Sequence, residues 1–128
     1  MKRLSLLVGT YLLGSVVLAY GQGDCGLAKP GQAVYEEHCA QCHRGNGEGL
    51  PGTFPALKNN PLVLGDPKAV IAVVLEGRQG SRGRMPAWKE TLDDQQVAAV
   101  VTFIRQTWAN QAAGVTPGMV AEVRQAPK

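Results

Sequence analysis

The sequence predicts an all-α fold in which three main helices are joined by long loops. Apolar residues recur at helical spacing in three stretches, and no stretch alternates as a convincing strand would. The 128 residues include 16 glycines and 8 prolines, a composition typical of long loops. Only 5% of the residues are aromatic, so the single domain has few bulky core residues, and a large bound group could fill its interior.

The first helix is expected to begin near Pro30 and to run towards His43, after a loose arm over residues 22–30. Residues 44–65 contain five glycines and three prolines, which predicts a long loop. Loops of this length in a compact domain usually serve function.

The second helix is expected after Asp66, a favourable N-cap, with Pro67 at its first position. Gly77 is the natural stop of this helix, and a second glycine-rich loop follows over residues 77–91.

The third helix is expected after Asp93, with Gln96 completing a variant of the capping box. Its apolar stripe consists of Val97, Val100, Val101, Ile104 and Trp108. Thr116-Pro117 predicts a short final helix that extends through Arg124.

Residues 1–21 predict a signal peptide ahead of a domain at residues 22–128. Lys2 and Arg3 form a basic start, and the residues from there to Ala19 are mostly apolar and uncharged. Small residues then favour cleavage after Gly21. An uncleaved membrane anchor is the alternative, although the apolar stretch is shorter than the roughly 20 residues of a spanning helix. Either way the domain is exported, which predicts a periplasmic or extracytoplasmic location.

The formal net charge of +3 falls to +1 if Lys2 and Arg3 leave with the signal peptide, because 11 basic and 10 acidic residues remain. A charge this small gives no indication of nucleic acid binding. Hydrophobic residues make up 45% of the chain, which argues against disorder.

Cys39-Ala40-Gln41-Cys42-His43 forms a C-x-x-C-H motif, the attachment sequence of c-type haem. Two thiols three residues apart lie on one face of a helical turn, so each can form a thioether with one haem vinyl group. The imidazole of His43 then supplies one axial ligand to the iron. The motif therefore predicts one covalently bound haem c per chain.

Paired cysteines also have two other uses. A thioredoxin-like redox pair would need a βαβ context, which the sequence lacks. A zinc site would need a second pair of ligands, and His38, directly before Cys39, is expected to be solvated or packed.

Met85, in the second loop, is the candidate for the second axial ligand because thioether sulfur is a known haem ligand. Met1 belongs to the predicted signal peptide, Met119 to the C-terminal tail, and His38 to the wrong side of the motif. The alternative is that Met85 packs in the core and leaves the iron five-coordinate.

With these motifs the chain resembles a class I cytochrome c from Pro30 to about Trp108, which implies the cytochrome c fold around one haem. Gly31 and Tyr35 match the family positions where the N-terminal helix crosses the C-terminal helix, and Phe103 matches the aromatic residue of the partner helix.

The resemblance also implies three haem-pocket residues. Pro55-Ala56-Leu57 resembles a family segment whose proline carbonyl accepts a hydrogen bond from the ligand histidine, here Nδ1 of His43. Met85-Pro86-Ala87-Trp88 resembles the ligand loop of small bacterial members. Trp88 is then expected to pack against the haem or to reach a propionate, with ordinary core packing as the alternative.

Ligation by His43 and Met85 fills both axial positions, so the implied function is one-electron transfer and not catalysis. Residues 49–55 and 107–110 resemble bacterial cytochromes c that accompany terminal oxidases or periplasmic dehydrogenases. We expect an electron carrier between respiratory partners, such as a quinol-oxidising complex and a terminal oxidase. The alternative is an electron-transfer subunit of a periplasmic dehydrogenase or other oxidoreductase complex. A third hypothesis is a haem sensor or enzyme with an open iron site.

A basic cluster without acidic neighbours surrounds Met85 and consists of Arg78, Arg82, Arg84 and Lys89. It predicts a docking surface for an acidic redox protein near the haem edge. The alternative is that one or two arginines neutralise haem propionates. Cys25 remains after haem attachment, so we expect a monomer with a free thiol unless Cys25 links two chains.

Overall fold

The computed structural model describes the backbone of residues 25–127 and the side chains of residues 27–127. The predicted signal peptide and the thiol of Cys25 lie outside this part of the chain. Within it, no helix is long and apolar enough to cross a membrane. The helices are α1 (Cys25–His38), α2 (Ala40–His43), α3 (Pro61–Leu64), α4 (Pro67–Glu76), α5 (Asp94–Gln106) and α6 (Pro117–Gln125), and the strands are β1 (Arg78–Gln79) and β2 (Arg84–Met85). This architecture confirms the predicted helical class.

Helices α1 and α5 cross at Gly31. A Cβ atom added to Gly31 would lie 2.1 Å from the carbonyl oxygen of Ala99, so a larger residue would push the helices apart. Beside the crossing, the ring centroids of Tyr35 and Phe103 are 5.4 Å apart. The crossing implied by the resemblance is therefore confirmed. Helix α2, which contains the last four residues of the C-x-x-C-H motif, follows α1 along the chain.

The first helix begins earlier than predicted. The expected loose arm over residues 22–30 is wrong from Cys25 onwards, because α1 begins there and contains Pro30. A proline lacks one backbone donor and restricts the turn before it, yet here that turn is helical. The helix ends at His38, and a turn at Cys39 separates it from α2.

The predicted caps of the later helices are confirmed. Asp66 accepts a hydrogen bond from the backbone N–H of Lys68 at the start of α4. Asp93 and Gln96 form the reciprocal capping box of α5. Thr116 caps α6. Each cap depends on residues two or three positions apart, which is why the sequence pattern reveals it.

The core is centred on α5 and includes side chains from α1, α3, α4 and α6, and four of the five stripe residues of α5 belong to it. These are Val97, Val100, Val101 and Ile104. The prediction that Trp108 continues the helical stripe is wrong, because α5 ends at Gln106 and Trp108 adopts a positive φ of 52°. The Trp108 ring still packs against the core, where it meets the ring of Tyr35 with centroids 5.1 Å apart.

Two predicted loops contain short regular elements. In residues 77–91, β1 and β2 pair antiparallel, with Arg78 opposite Met85. In residues 44–65, α3 follows Asn60, whose side chain accepts from the N–H of Leu62. The expectation of no strand is thus wrong for this hairpin, because a two-residue strand is too short to show alternation. The hairpin places Met85 on a fixed element.

Candidate haem-binding site

A largely apolar cavity of about 800 Å³ lies between the loop after α2, the hairpin, α4 and α5. Cavities of this size can hold a cofactor. All seven predicted site residues line it, namely Cys39, Cys42, His43, Pro55, Leu57, Met85 and Trp88. The fold therefore brings together residues that are up to 49 positions apart in the sequence.

His43 is 8% exposed at the end of α2. Its Nδ1–H donates to the carbonyl oxygen of Pro55 across 2.9 Å. Because a carbonyl oxygen can only accept, this bond places the proton on Nδ1 and leaves the Nε2 lone pair available to a metal.

Gly49 lies close against the Pro55 carbonyl group. Its backbone N–H donates to the carbonyl oxygen of His43 at 3.0 Å, and its φ is +61°. A Cβ atom here would lie 2.4 Å from the oxygen of Phe54 and 2.6 Å from that of Pro55. A side chain at Gly49 would thus displace the acceptor of the His43 bond.

Two aromatic side chains near the crossing of α1 and α5 hydrogen-bond the start of the loop that follows His43. The hydroxyl of Tyr35 donates to the carbonyl oxygen of Arg44 at 2.6 Å, and Nε1 of Trp108 donates to that of Gly45 at 2.9 Å. Gly47 lies under the indole, where a Cβ atom would be 2.4 Å from the ring. Trp108 thus stabilises the conformation of the loop that follows His43. The sequence pattern did not predict this role.

Asn110 is another buried residue to which we assigned no role from the sequence. Its amide group donates to the carbonyl oxygens of Ile104 and Leu57, and its side-chain oxygen accepts from the N–H of Asn59. The end of α5 is thereby bound to the loop segment that carries Leu57.

Cys39 and Cys42 are free thiols, both half-buried. Burial, assisted by the neighbouring Cys42, raises the pKa of Cys39 to about 11. Redox-active C-x-x-C motifs have lowered thiol pKa values, so this site differs from a thioredoxin-like pair. Within residues 27–127, no three His, Cys, Asp or Glu side chains cluster in a way that could hold a metal ion.

Met85 lies half-buried on β2 and contacts the core. Gly77, which ends α4 with a φ of +73°, lies against the backbone of Met85. A Cβ atom at Gly77 would be 2.5 Å from the Met85 carbonyl oxygen. The other methionine of the described residues, Met119, belongs to α6 and does not line the cavity. The cavity therefore has one thioether available in this part of the chain.

His38 lies nearer the cavity than expected. It is half-buried, lines the cavity, and packs on Trp88 with ring centroids 5.0 Å apart. Of the two expected environments of His38, solvated or packed, the structure shows the packed one, in contact with the Trp88 ring.

The predicted basic cluster divides into two parts. Arg78, Arg82 and Arg84 are exposed and line the cavity, with Arg82 reaching towards Gly52 on the opposite loop. Lys89 lies instead on a separate surface cleft, and its Nζ is 3.8 Å from a carboxylate oxygen of Glu76.

The donor set of the cavity fits a covalently attached haem. The thiols of Cys39 and Cys42 stand one helical turn apart, the imidazole of His43 offers its Nε2, and the thioether of Met85 lies on another wall element. Apolar residues such as Leu57 and Val74 complete the lining. This combination matches the chemistry of c-type haem attachment and axial ligation.

Comparison with known proteins agrees with this chemistry. Residues 26–104 match the family described as cytochrome c oxidase, cbb3-type, subunit III. The chain is 33% identical to cytochrome c-552 of Thermus thermophilus over 139 aligned positions, a match covering 98% of this chain and 86% of that protein.

A longer relative is the cytochrome c subunit of the quinone-dependent alcohol dehydrogenase of Gluconacetobacter polyoxogenes. It is 38% identical over 104 residues, covering 74% of this chain and 22% of the subunit, so the chain spans about a fifth of that relative. The fold is similar to the c-type cytochrome XoxG of Methylobacterium extorquens AM1, with a TM-score of 0.55 and 22% identity over 72% of this chain and 57% of XoxG. Together with the family match, these likenesses show that the chain belongs to the cytochrome c family that includes the cbb3-type subunit III, a family of electron-transfer proteins with covalently bound haem c.

Proposed function

We propose that this chain is an exported monohaem cytochrome c that carries single electrons between respiratory redox proteins and has no catalytic activity of its own. Cys39 and Cys42 would form the two thioethers to the haem, and His43 and Met85 would both coordinate its iron. The observation that carries the proposal is that these four side chains line one apolar cavity although they come from two separate parts of the chain.

The surrounding residues suit a site that changes little between oxidation states. When bound, haem iron supplies one-electron exchange between Fe(II) and Fe(III). The bond from His43 to Pro55 fixes the imidazole orientation and its tautomer. The thioether of Met85 favours the reduced iron and raises the reduction potential. With His43 and Met85 both bound to the iron, oxygen and organic substrates would have no vacant position at the metal.

Three arginines at the cavity, Arg78, Arg82 and Arg84, form the docking surface for an acidic partner in this proposal. Their guanidinium groups are exposed and belong to the hairpin that carries Met85. A local concentration of positive charge accelerates the encounter with an acidic protein even when the net charge is small. Lys89 contributes less, because it pairs with Glu76 on another cleft.

A second candidate is an electron-transfer subunit of a periplasmic dehydrogenase. It is favoured by the 38% identity to the cytochrome c subunit of an alcohol dehydrogenase. The carrier is favoured by the match to cytochrome c-552, which extends over nearly all of both chains. Purification from the native membrane and periplasmic fractions separates the two, since a subunit would co-purify with a dehydrogenase in constant proportion.

Peptide mass spectrometry of the purified holoprotein, with a redox titration, tests the proposal. We expect one haem attached to the peptide containing residues 39–43 and a single reversible one-electron transition. Cys39→Ser and Cys42→Ser should each lose one thioether, and Cys25→Ser should keep both. Haem released by mild denaturation of the unmodified protein would contradict covalent attachment.

A further inference from the structure

Helix α6 begins beyond residues 26–104, the stretch that matches the family, yet one of its side chains reaches the segment that follows Met85. Arg124 donates from Nη2 to the carbonyl oxygen of Leu92 at 2.9 Å and from Nη1 to that of Lys89. Its Nε pairs with a carboxylate oxygen of Asp94 at 2.8 Å. The Arg124 side chain is 29% exposed, so water screens these charge-assisted bonds only in part.

The segment over residues 88–92 is a tight turn that carries two cavity-lining side chains. The N–H groups of Thr91 and Leu92 donate to the carbonyl oxygen of Trp88 at 3.0 and 2.9 Å. Trp88 and Leu92 both line the cavity. The shape of this turn therefore determines where its indole and isobutyl groups meet the bound group.

This turn is held from two sides. On one side, the N–H groups of Trp88 and Lys89 donate to the carbonyl oxygens of Val74 and Leu75 at the end of α4, at 3.1 and 3.2 Å. On the other side, its carbonyl groups at positions 89 and 92 accept from Arg124. Removal of the guanidinium leaves the backbone of the turn with hydrogen bonds to α4 alone, apart from those within the turn.

The position of Arg124 depends on how α6 is anchored to the rest of the fold. Val120, one turn before it, is fully buried. Ahead of α6, Val115 exchanges two hydrogen bonds with the hydroxyl of Thr102 on α5, at 2.9 and 3.2 Å. The guanidinium is thus presented by a helix that is packed against the core.

We propose that Arg124 is a positioning residue that holds the Met85 thioether and the Trp88 ring in place through the turn at residues 88–92. Only Pro86 and Ala87 separate Met85 from this turn, and the fixed φ of proline limits how far they can absorb a displacement. The inference rests on the proposed ligation by Met85. A looser turn would hold the Met85 sulfur less firmly at the iron, so an external ligand would compete with it more easily.

Imidazole titration of the ferric holoprotein tests this inference, because imidazole must displace the native sixth ligand. We expect Arg124→Gln to bind imidazole about tenfold more tightly than the unmodified protein, and Arg124→Lys to be intermediate. Asp94→Asn should leave the affinity unchanged, because the bonds to the two carbonyl oxygens remain. In hydrogen exchange, the amides of Trp88 and Lys89 should be less protected in Arg124→Gln.

Two further variants separate the possible failures. Val101→Ala shortens a fully buried side chain of α5 that does not line the cavity, so it should lower stability and leave imidazole affinity unchanged. If Val101→Ala raises the affinity as much as Arg124→Gln does, the role of Arg124 is merely structural and the inference is overturned. Unchanged affinity in Arg124→Gln, with tighter binding in Met85→Ala, overturns the inference alone. Unchanged affinity in Met85→Ala overturns both the ligation and the inference.

Discussion

The Nδ1 atom of His43 and the carbonyl oxygen of Pro55 are joined by a hydrogen bond of 2.9 Å, which links α2 to the loop that follows it. The histidine lies in the C-x-x-C-H motif, whereas the proline lies 12 residues later in an irregular segment. Since the acceptor is a backbone oxygen, its position depends on loop conformation and not on a side chain. The close approach of Gly49 to the Pro55 carbonyl group therefore influences the orientation of His43, the proposed iron ligand.

Gly49→Ala should disturb this relationship. The added methyl group meets the carbonyl oxygens of Phe54 and Pro55 at a position of positive φ, which should cost about 1–3 kcal/mol of stability. The displaced acceptor should also shift the reduction potential. Denaturation and redox titration of the holoprotein measure both effects. Gly45→Ala is the matched control, because its Cβ atom would have no neighbour within 4 Å and should change neither quantity. Equal behaviour of the two variants would show that the loop does not set the ligand geometry.

The arginines at the cavity should accelerate reaction with anions. In a variant with Arg78→Gln, Arg82→Gln and Arg84→Gln, oxidation of the reduced protein by ferricyanide at low salt should slow by about tenfold or more. The dependence of the rate on ionic strength should also become flatter. Stopped-flow kinetics across a salt series measures both. Lys89→Gln, on the separate cleft, should behave nearly as the unmodified protein. A triple variant with an unchanged rate and a shifted reduction potential would favour propionate neutralisation over docking.

Arg105 should be a major contributor to stability although it lies on the apolar helix α5. It is 4% exposed, and its guanidinium donates to the carbonyl oxygens of Val63, Gly65 and Ala113 at 2.6, 3.0 and 2.7 Å. Arg105→Met leaves these acceptors without their donor and should lower the free energy of unfolding by about 3 kcal/mol. Gln106→Met places the same side chain at an exposed neighbouring position and should cost little. Equal losses in urea denaturation would mean that the buried guanidinium is not important.

Tyr35 should make the protein less stable at high pH. Its ring is 1% exposed, and burial raises its pKa well above the ordinary value. The unfolded chain therefore releases this proton first, above about pH 10, while the folded protein keeps it. Stability from this group is complete below pH 10 and falls by up to about 1.4 kcal/mol per pH unit above it. Denaturation between pH 9 and 11 should show this slope, and Tyr35→Phe should lack it. An identical slope in both proteins would contradict this assignment.

Helix caps and the haem attachment motif could be predicted from the sequence because each depends on residues a few positions apart. Asp66, Asp93 and Thr116 occupy the predicted cap positions. The crossing at Gly31 was predictable through the family resemblance, since close helix approach requires the absence of a side chain there.

Other features depend on long-range contacts that leave no local pattern. The partners of Arg105 are up to 42 residues away, and the indole of Trp108 binds a carbonyl oxygen 63 residues before it. The separation of Lys89 from the three arginines likewise depends on how the turn at residues 88–92 folds back on α4. These positions look like ordinary helix or loop residues until the chain is folded.

We propose that His43 and Met85 coordinate the iron of one haem, and carbon monoxide binding to the reduced holoprotein distinguishes this state from an open iron site. Met119→Ala is the matched control, because Met119 lies on α6 away from the cavity. We expect the unmodified protein and Met119→Ala to bind no carbon monoxide and to show the His/Met charge-transfer band when oxidised. Met85→Ala should lose that band and bind carbon monoxide readily. Carbon monoxide binding by the unmodified protein, or a Met85→Ala spectrum identical to it, would contradict the claim.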